Sequence, residues 1–241
     1  ELVEISIPPP GLEQQSQWLQ VRKERPDWVT FWGAGSGMNS TGMTNAARIG
    51  FDREKLIYVT FGAAEEDMFP AGDAATGTYA MANALPGDQF PLVQSIKEQV
   101  YGAGKGNLAE DSRIGTVYWN RGLGAAVTYI EALRVAQEMH DKVGKAVTGA
   151  EFRAGYESLV MDDARLEELG IKGMIAPFAM SCAENAGAGK FAMMQWDGTQ
   201  FQQVTDWEEP LDPAYIRGLV EASAAKFASE NGITPRECPA S

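Results

Sequence analysis

Residues 28–39 read "WVTFWGAGSGMN": an apolar, aromatic run that opens at once into a loop containing Gly33, Gly35 and Gly37. A continuous apolar run of this kind marks a strand buried on both faces, as in a parallel sheet. A glycine-rich loop directly behind it lies where an open α/β sheet binds ligands, outside the carboxyl ends of its strands. The dinucleotide fingerprint Gly-x-Gly-x-x-Gly fails in both registers. Counted from Gly33 its third glycine falls on Met38, and counted from Gly35 it falls on Ser40. No Gly-Lys-Ser/Thr follows either, so the loop does not read as a phosphate cradle. What it offers is close backbone approach to a ligand and the free N–H groups of a following helix.

Outward from this loop the pattern is α/β. Residues 2–7 suggest a short strand, and residues 12–24 a helix that stops before Pro26. Residues 28–32 form the buried strand. Residues 41–49 have helical composition, with Ser40 or Thr41 as N-cap and Gly50 as terminator. Residues 56–61 form a second buried strand and residues 79–84 a third, the spacing of parallel βαβ units. The middle of the chain then turns helical, over residues 92–101, 117–139 and 151–159. In the second of these Leu123, Ala126, Val127, Ile130 and Leu133 share a face. Thr148 and Glu151 have capping-box spacing for the third. Strands return at residues 174–181 and around a hairpin signal at Asp197-Gly198. A last helix starts at Asp212-Pro213, is lined by Ile216, Leu219, Val220 and Phe227, and ends at Gly232. The helical block from Gln94 to Leu159 has apolar faces that call for a sheet, yet few strands lie near it. This predicts a part of the fold outside the sequence.

The chain has 241 residues, 44% of them hydrophobic, and a net charge of −13. That charge argues against nucleic acid and anionic membranes as partners. No apolar run approaches the roughly 20 residues that span a membrane. The sequence opens "ELVEISI" without a methionine, which predicts a processed chain or one that starts inside a longer polypeptide. Its two cysteines, Cys182 and Cys238, allow one bridge, worth about 3–4 kcal/mol by chain entropy, or two free thiols.

Candidate site residues cluster at the two strand ends. Phe31 and Trp32 can wall a ligand or pack in the core. Glu65, Glu66 and Asp67 follow the second strand and can receive a positive group, or form a solvated first helical turn. The single histidine, His140, sits in a charged stretch and reads as a surface residue. No metal-ligand spacing, nucleophile elbow or cofactor motif is present in the sequence.

Four stretches, in this order, resemble the type I periplasmic solute-binding proteins of branched-chain amino acid and amide ABC transporters. They are "SQWLQVRKERPDWVTFWGAGSGMNSTGMTNAARIGF", "AGDAATGTY", "GTVYWNRGLGAAVTYIEALRVAQ" and "MMQWDGTQFQQVTDW". The resemblance implies an α/β, periplasmic-binding-protein-like type I fold: parallel-sheet lobes with flanking helices and a hinge. It implies that residues 1–83 belong to the second lobe and residues 84–173 to the helical part of the first. Residues 174–241 would supply return strands, hairpin and C-terminal helix. It places the binding loop on Phe31, Trp32, Gly33 and Ala34, and the acid that receives an α-ammonium on Glu65, with Glu66 as the alternative in a shorter loop. It further implies a periplasmic location after removal of a signal peptide, a small-molecule ligand, an ABC-transporter permease as partner, and no cofactor or enzymatic activity. The first-lobe sheet and its ligand loops would lie in an N-terminal part, of this chain or of a separate one. Export to an oxidising space favours the Cys182–Cys238 bridge. Two other readings stay open, a ligand-sensing domain of a signalling protein and an α/β enzyme.

Overall fold

The computed structural model describes residues 1–33, 35–59, 64–108 and 111–238. The chain divides into two compact units. The first comprises Glu1–Gly124, Leu169–Ala176 and Phe191–Trp207; the second comprises Ala125–Glu168, Pro177–Lys190 and Glu208–Ser241.

Short strands alternate with helices in the first unit: α1 (Gln15–Glu24), β1 (Val29–Phe31), α2 (Ser36–Arg48), β2 (Leu56–Val59), α3 (Glu65–Ala71) and β3 (Tyr79–Ala82). Then come α4 (Pro91–Ile96), the start of α5 (Val117–Met139) and the hairpin β6 (Ala192–Trp196) and β7 (Phe201–Gln203). Each α crossover makes its flanking strands parallel, so β1, β2 and β3 run the same way. β6 and β7 close the sheet antiparallel, giving the order β1-β2-β3-β6-β7. Register places Phe31, Tyr58, Ala80 and Met194 in one row across four strands. All four are buried, so this row is the floor of the core. α1 covers it with Trp18, whose ring stacks on Phe31 at 6.2 Å, and Phe31 in turn meets Tyr58 at 5.0 Å. The Trp18 indole donates to Gln14 Oε1 (3.0 Å), and Gln14 donates to the carbonyls of Gly11 and Met38 (2.6 and 2.7 Å). A fully buried glutamine is thereby satisfied, which is what burial of an amide requires.

The second unit holds the rest of α5, α6 (Gly149–Tyr156), β4 (Val160–Met161), α7 (Asp163–Glu168), β5 (Phe178–Ala179) and α8 (Pro213–Asn231). β4 and β5 pair antiparallel. The capping box forms as the spacing predicts, with Thr148 and Glu151 bonding each other's backbone N–H. A Cβ at Gly155 would lie 2.5 Å from the Ala132 carbonyl, so glycine lets α6 press directly onto α5. Glu131, 3% exposed, is gripped by the Arg165 fork (2.7 and 2.8 Å) and by Arg134 (3.1 Å). Those bonds outweigh the cost of burying the carboxylate and hold its pKa below the usual range.

Several local expectations are corrected. Residues 2–7 are not in a strand. α2 begins at Ser36, ahead of both predicted caps, because Gly35 at φ 103° turns the chain into the helix at once. Residues 174–181 contain only the short β5. Asp197-Gly198 is part of a four-residue turn: the Asp197 carboxylate accepts from the N–H groups of Thr199 and Gln200 (2.8 and 2.9 Å). The expected inward face of α5 is mostly turned out. Val127 is buried, but Ile130 and Leu133 are exposed, as are Ile216, Leu219, Val220 and Phe227 of α8.

Cys182 and Cys238 form a disulfide with Cα atoms 5.5 Å apart. It ties the segment beyond α8 back to the loop after β5, helped by the ion pairs Arg217–Glu184 and Arg236–Glu157. Reduction should lower the stability of the second unit by about 3–4 kcal/mol, since the bridge closes a long loop. Denaturant unfolding of oxidised and reduced protein measures the difference.

Candidate functional site

β1 and β2 are parallel neighbours, so their carboxyl ends open on one side of the first unit. Phe31, the last residue of β1, is 5% exposed and its ring belongs to the core stack. Trp32 is the reverse: 77% exposed at the strand end, an aromatic surface that the fold leaves to solvent. Gly33 is buried. A Cβ there would lie 1.8 Å from Asn39 Oδ1 and 2.7 Å from Phe31 Cε1, so the loop can pass only as glycine. Ala34 lies outside the described residues, as do residues 60–63 after β2. α2 then starts at Ser36, and its N-cap residue, Gly35, has no side chain to cap it.

The acids after β2 occupy the first turn of α3, but they are not a solvated turn. Val117 N–H donates to Glu65 Oε2 (2.8 Å), Thr116 Oγ1 to Glu66 Oε1 (2.9 Å) and the Tyr118 hydroxyl to Asp67 Oδ2 (2.8 Å). Three consecutive carboxylates thus meet three consecutive residues at the start of α5, where the positive end of the helix dipole favours them. Glu66 Oε2 is buried and has no hydrogen-bond partner among the described residues. Glu65 also lines a polar cavity of 440 Å³ with the residues 86–89, Thr116 and the turn before β7. Burial pushes the Glu65 carboxyl up to about 7; the Val117 N–H opposes this and the neighbouring Glu66 adds to it. Asp67 is raised to about 6 by burial, against the bonds from Asn39 and Tyr118.

Asp67 joins the two loops. It is fully buried and accepts from Asn39 Nδ2 (3.1 Å), while its carbonyl accepts from Ser40 Oγ (3.0 Å). Tyr58 OH donates to the Asn39 carbonyl (3.3 Å). The structure therefore brings Gly33 together with Asp67, through Asn39, and Glu65 together with Glu66 at the start of α5. It does not bring Phe31 to the surface. Asn39 and Tyr118 escape the sequence reading, although a signal for Asp67 exists: it shares helical spacing with the apolar Ala64, Met68 and Ala71.

Two outcomes follow from this geometry. Gly33→Ala should destabilise the protein by about 1–3 kcal/mol, because the new methyl overpacks a filled site; denaturant unfolding reads it. The raised pKa of Glu65 makes its folded state bind a proton that the unfolded state has released. Its contribution is complete below its ordinary 4.5 and is lost as pH rises through about 7. Melting temperatures from pH 4 to 8 should therefore fall more steeply for the native protein than for Glu65→Gln.

The profile of the periplasmic binding protein family matches residues 1–200. Among solved structures, an ABC transporter permease from the Pseudomonas fluorescens group is 34% identical, with a TM-score of 0.89 over 98% of this chain and 56% of that one. A branched-chain amino acid ABC transporter from Thermus thermophilus with bound valine is 19% identical, with a TM-score of 0.66 over 87% of this chain and 52% of that one. A solute-binding protein from R. palustris in complex with benzoate is 16% identical, with a TM-score of 0.57 over 86% and 51%. The last two likenesses concern the fold alone. The chain spans about half the length of each of these structures. No curated protein matches it. A profile that covers most of the chain, on a parallel-led α/β sheet with glycine and acidic loops at its strand ends, establishes that the chain belongs to the periplasmic binding protein family.

Proposed function

We propose that this protein captures a small polar organic solute, an amino acid, amide or related acid, for an ABC transporter, and leaves the solute chemically unchanged. Family membership is the observation that carries this reading. Solved relatives hold valine and benzoate. Features of the strand-end face support such a ligand: Trp32 offers an exposed ring, Gly35 has open space beside its backbone, and α2 starts directly behind it. Glu65 and Glu66 supply acceptors on the same side, and Glu66 Oε2 has no donor among the described residues. Phe31 acts from beneath, by fixing the strand that carries Trp32. A permease would receive the solute, and the exposed apolar faces of α5 and α8 would meet the rest of the family's fold, in this chain or another.

A thermal-shift screen of amino acids, amides, ureas and aromatic acids identifies the ligand, and calorimetry then apportions the site. Trp32→Ala should weaken binding about tenfold or more, the scale of a lost aromatic contact. Glu65→Gln should weaken an ammonium-bearing ligand by some tens to thousands of fold, the cost of removing a buried charged partner. Glu98→Gln, on an exposed stretch, should change nothing. Equal, small effects at Trp32, Glu65 and Glu98 would move the site elsewhere.

A further inference from the structure

Residues 65–67 read Glu-Glu-Asp on the first turn of α3. Consecutive helical positions point about 100° apart, so three acids in a row do not share one face. All three carboxylates are nevertheless met by residues 116–118 at the start of α5, through a main-chain N–H, a threonine hydroxyl and a tyrosine hydroxyl. Asn39 adds an amide N–H to Asp67. Each of these donors is neutral. Among the described residues no lysine, arginine or histidine forms an ion pair with Glu65, Glu66 or Asp67.

The groups packed around the turn do not supply a counter-charge. Asp88, across the cavity that Glu65 lines, is held by Lys97. Arg121, one turn into α5, acts on the Tyr118 hydroxyl. α2 presents the neutral Asn39 and Ser40, β2 presents Tyr58, and the turn before β7 presents Gln200 and Gln202. Burial and mutual repulsion therefore both favour protonated acids. Burial raises Glu65 from 4.5 to about 7 and Asp67 from 3.8 to about 6, against their hydrogen-bond donors, and the charge of Glu66 adds to both.

The same contact starts α5. The N–H groups of a first helical turn have no partner within the helix. Here Glu65 takes that of Val117, and Thr116 Oγ1 takes that of Trp119 (3.4 Å) while itself donating to Glu66. A contact that binds protons more tightly when formed than when open must weaken as those protons leave.

We propose that the junction between the first turns of α3 and α5 is a proton-operated latch, which holds while the acid turn carries protons and loosens as the turn ionises. It operates in the ligand-free chain and does not depend on which solute the strand-end face takes. The contribution of the two protons is complete below the ordinary 3.8 and 4.5 of these acids. It is lost as pH rises through about 6 and then about 7.

NMR on the intact protein, without solute, tests this. The side-chain carboxyl carbons of Glu65 and Asp67 should titrate near 7 and 6. The Val117 protection factor, corrected for the intrinsic pH dependence of exchange, should fall at least roughly tenfold from about pH 5.5 to about pH 8, more than those of the β1–β2 ladder. Glu66→Gln removes the charge that raises both acids, so it should lower both midpoints and flatten the Val117 profile. Tyr118→Phe takes a donor from Asp67 and should move that midpoint up. Midpoints of about 4 for both acids in the unaltered protein would overturn the proposal. Unchanged Val117 protection while both acids titrate would overturn it too, as would a Val117 profile in Glu66→Gln as steep as the native one. The first two readings need no variant, so they decide the matter even where a variant fails to fold.

Discussion

The Asp67 carboxylate is the constraint on which the site end of the first unit depends. It lies beneath the ends of β1 and β2, fully buried, and receives donors from α2 through Asn39 and from α5 through Tyr118. Each bond is an ordinary one. Their joint effect is geometric, because a buried carboxylate left short of donors would be costly, and so the three helix starts must converge on it. Asn39 is in turn held through its carbonyl by Tyr58, in the middle of the sheet. Gly33 is the consequence at the surface: the loop clears Asn39 only where no Cβ exists.

This arrangement separates support from contact. Phe31 and Trp32 are adjacent in sequence and opposite in role, because successive residues at a strand end point to opposite sides. One completes the aromatic floor and the other faces solvent. The acids divide in the same way. Asp67 is spent on the frame, while Glu65 borders a polar cavity and Glu66 keeps one oxygen without a donor among the described residues. The raised pKa of Glu65 records burial prevailing over the backbone N–H groups of Val117 and of Glu65 itself.

The second unit is held differently. Its buried charge is satisfied by two arginines on Glu131, and its C-terminal segment by a disulfide, while α8 buries no residue of its own. The protein is extracytoplasmic, as its family is, and the Cys182–Cys238 bridge suits an oxidising compartment. Among the described residues no helix is long and apolar enough to cross a membrane. Members of this family bind solutes and are not enzymes, and sheet-end loops on a rigid α/β frame suit that role.

Much was legible in the sequence by itself. Periodicity and punctuation marked the βαβ units, α5, the capping box at Thr148 and the cap and terminator of α8, because these depend on neighbours within a few residues. The failed phosphate fingerprint at Gly33–Gly37 was equally local. Only tertiary structure decided which of Phe31 and Trp32 is buried, that α2 starts at Ser36, and that three acids beyond β2 meet Thr116–Tyr118 some fifty positions away. It also decided that α5 turns Glu131 inward and Ile130 outward, against the pattern of its apolar residues. The physical reason is common to all of these. A polar side chain's burial is set by the donors and acceptors brought to it across the fold, and no periodicity within one segment encodes where those partners will be.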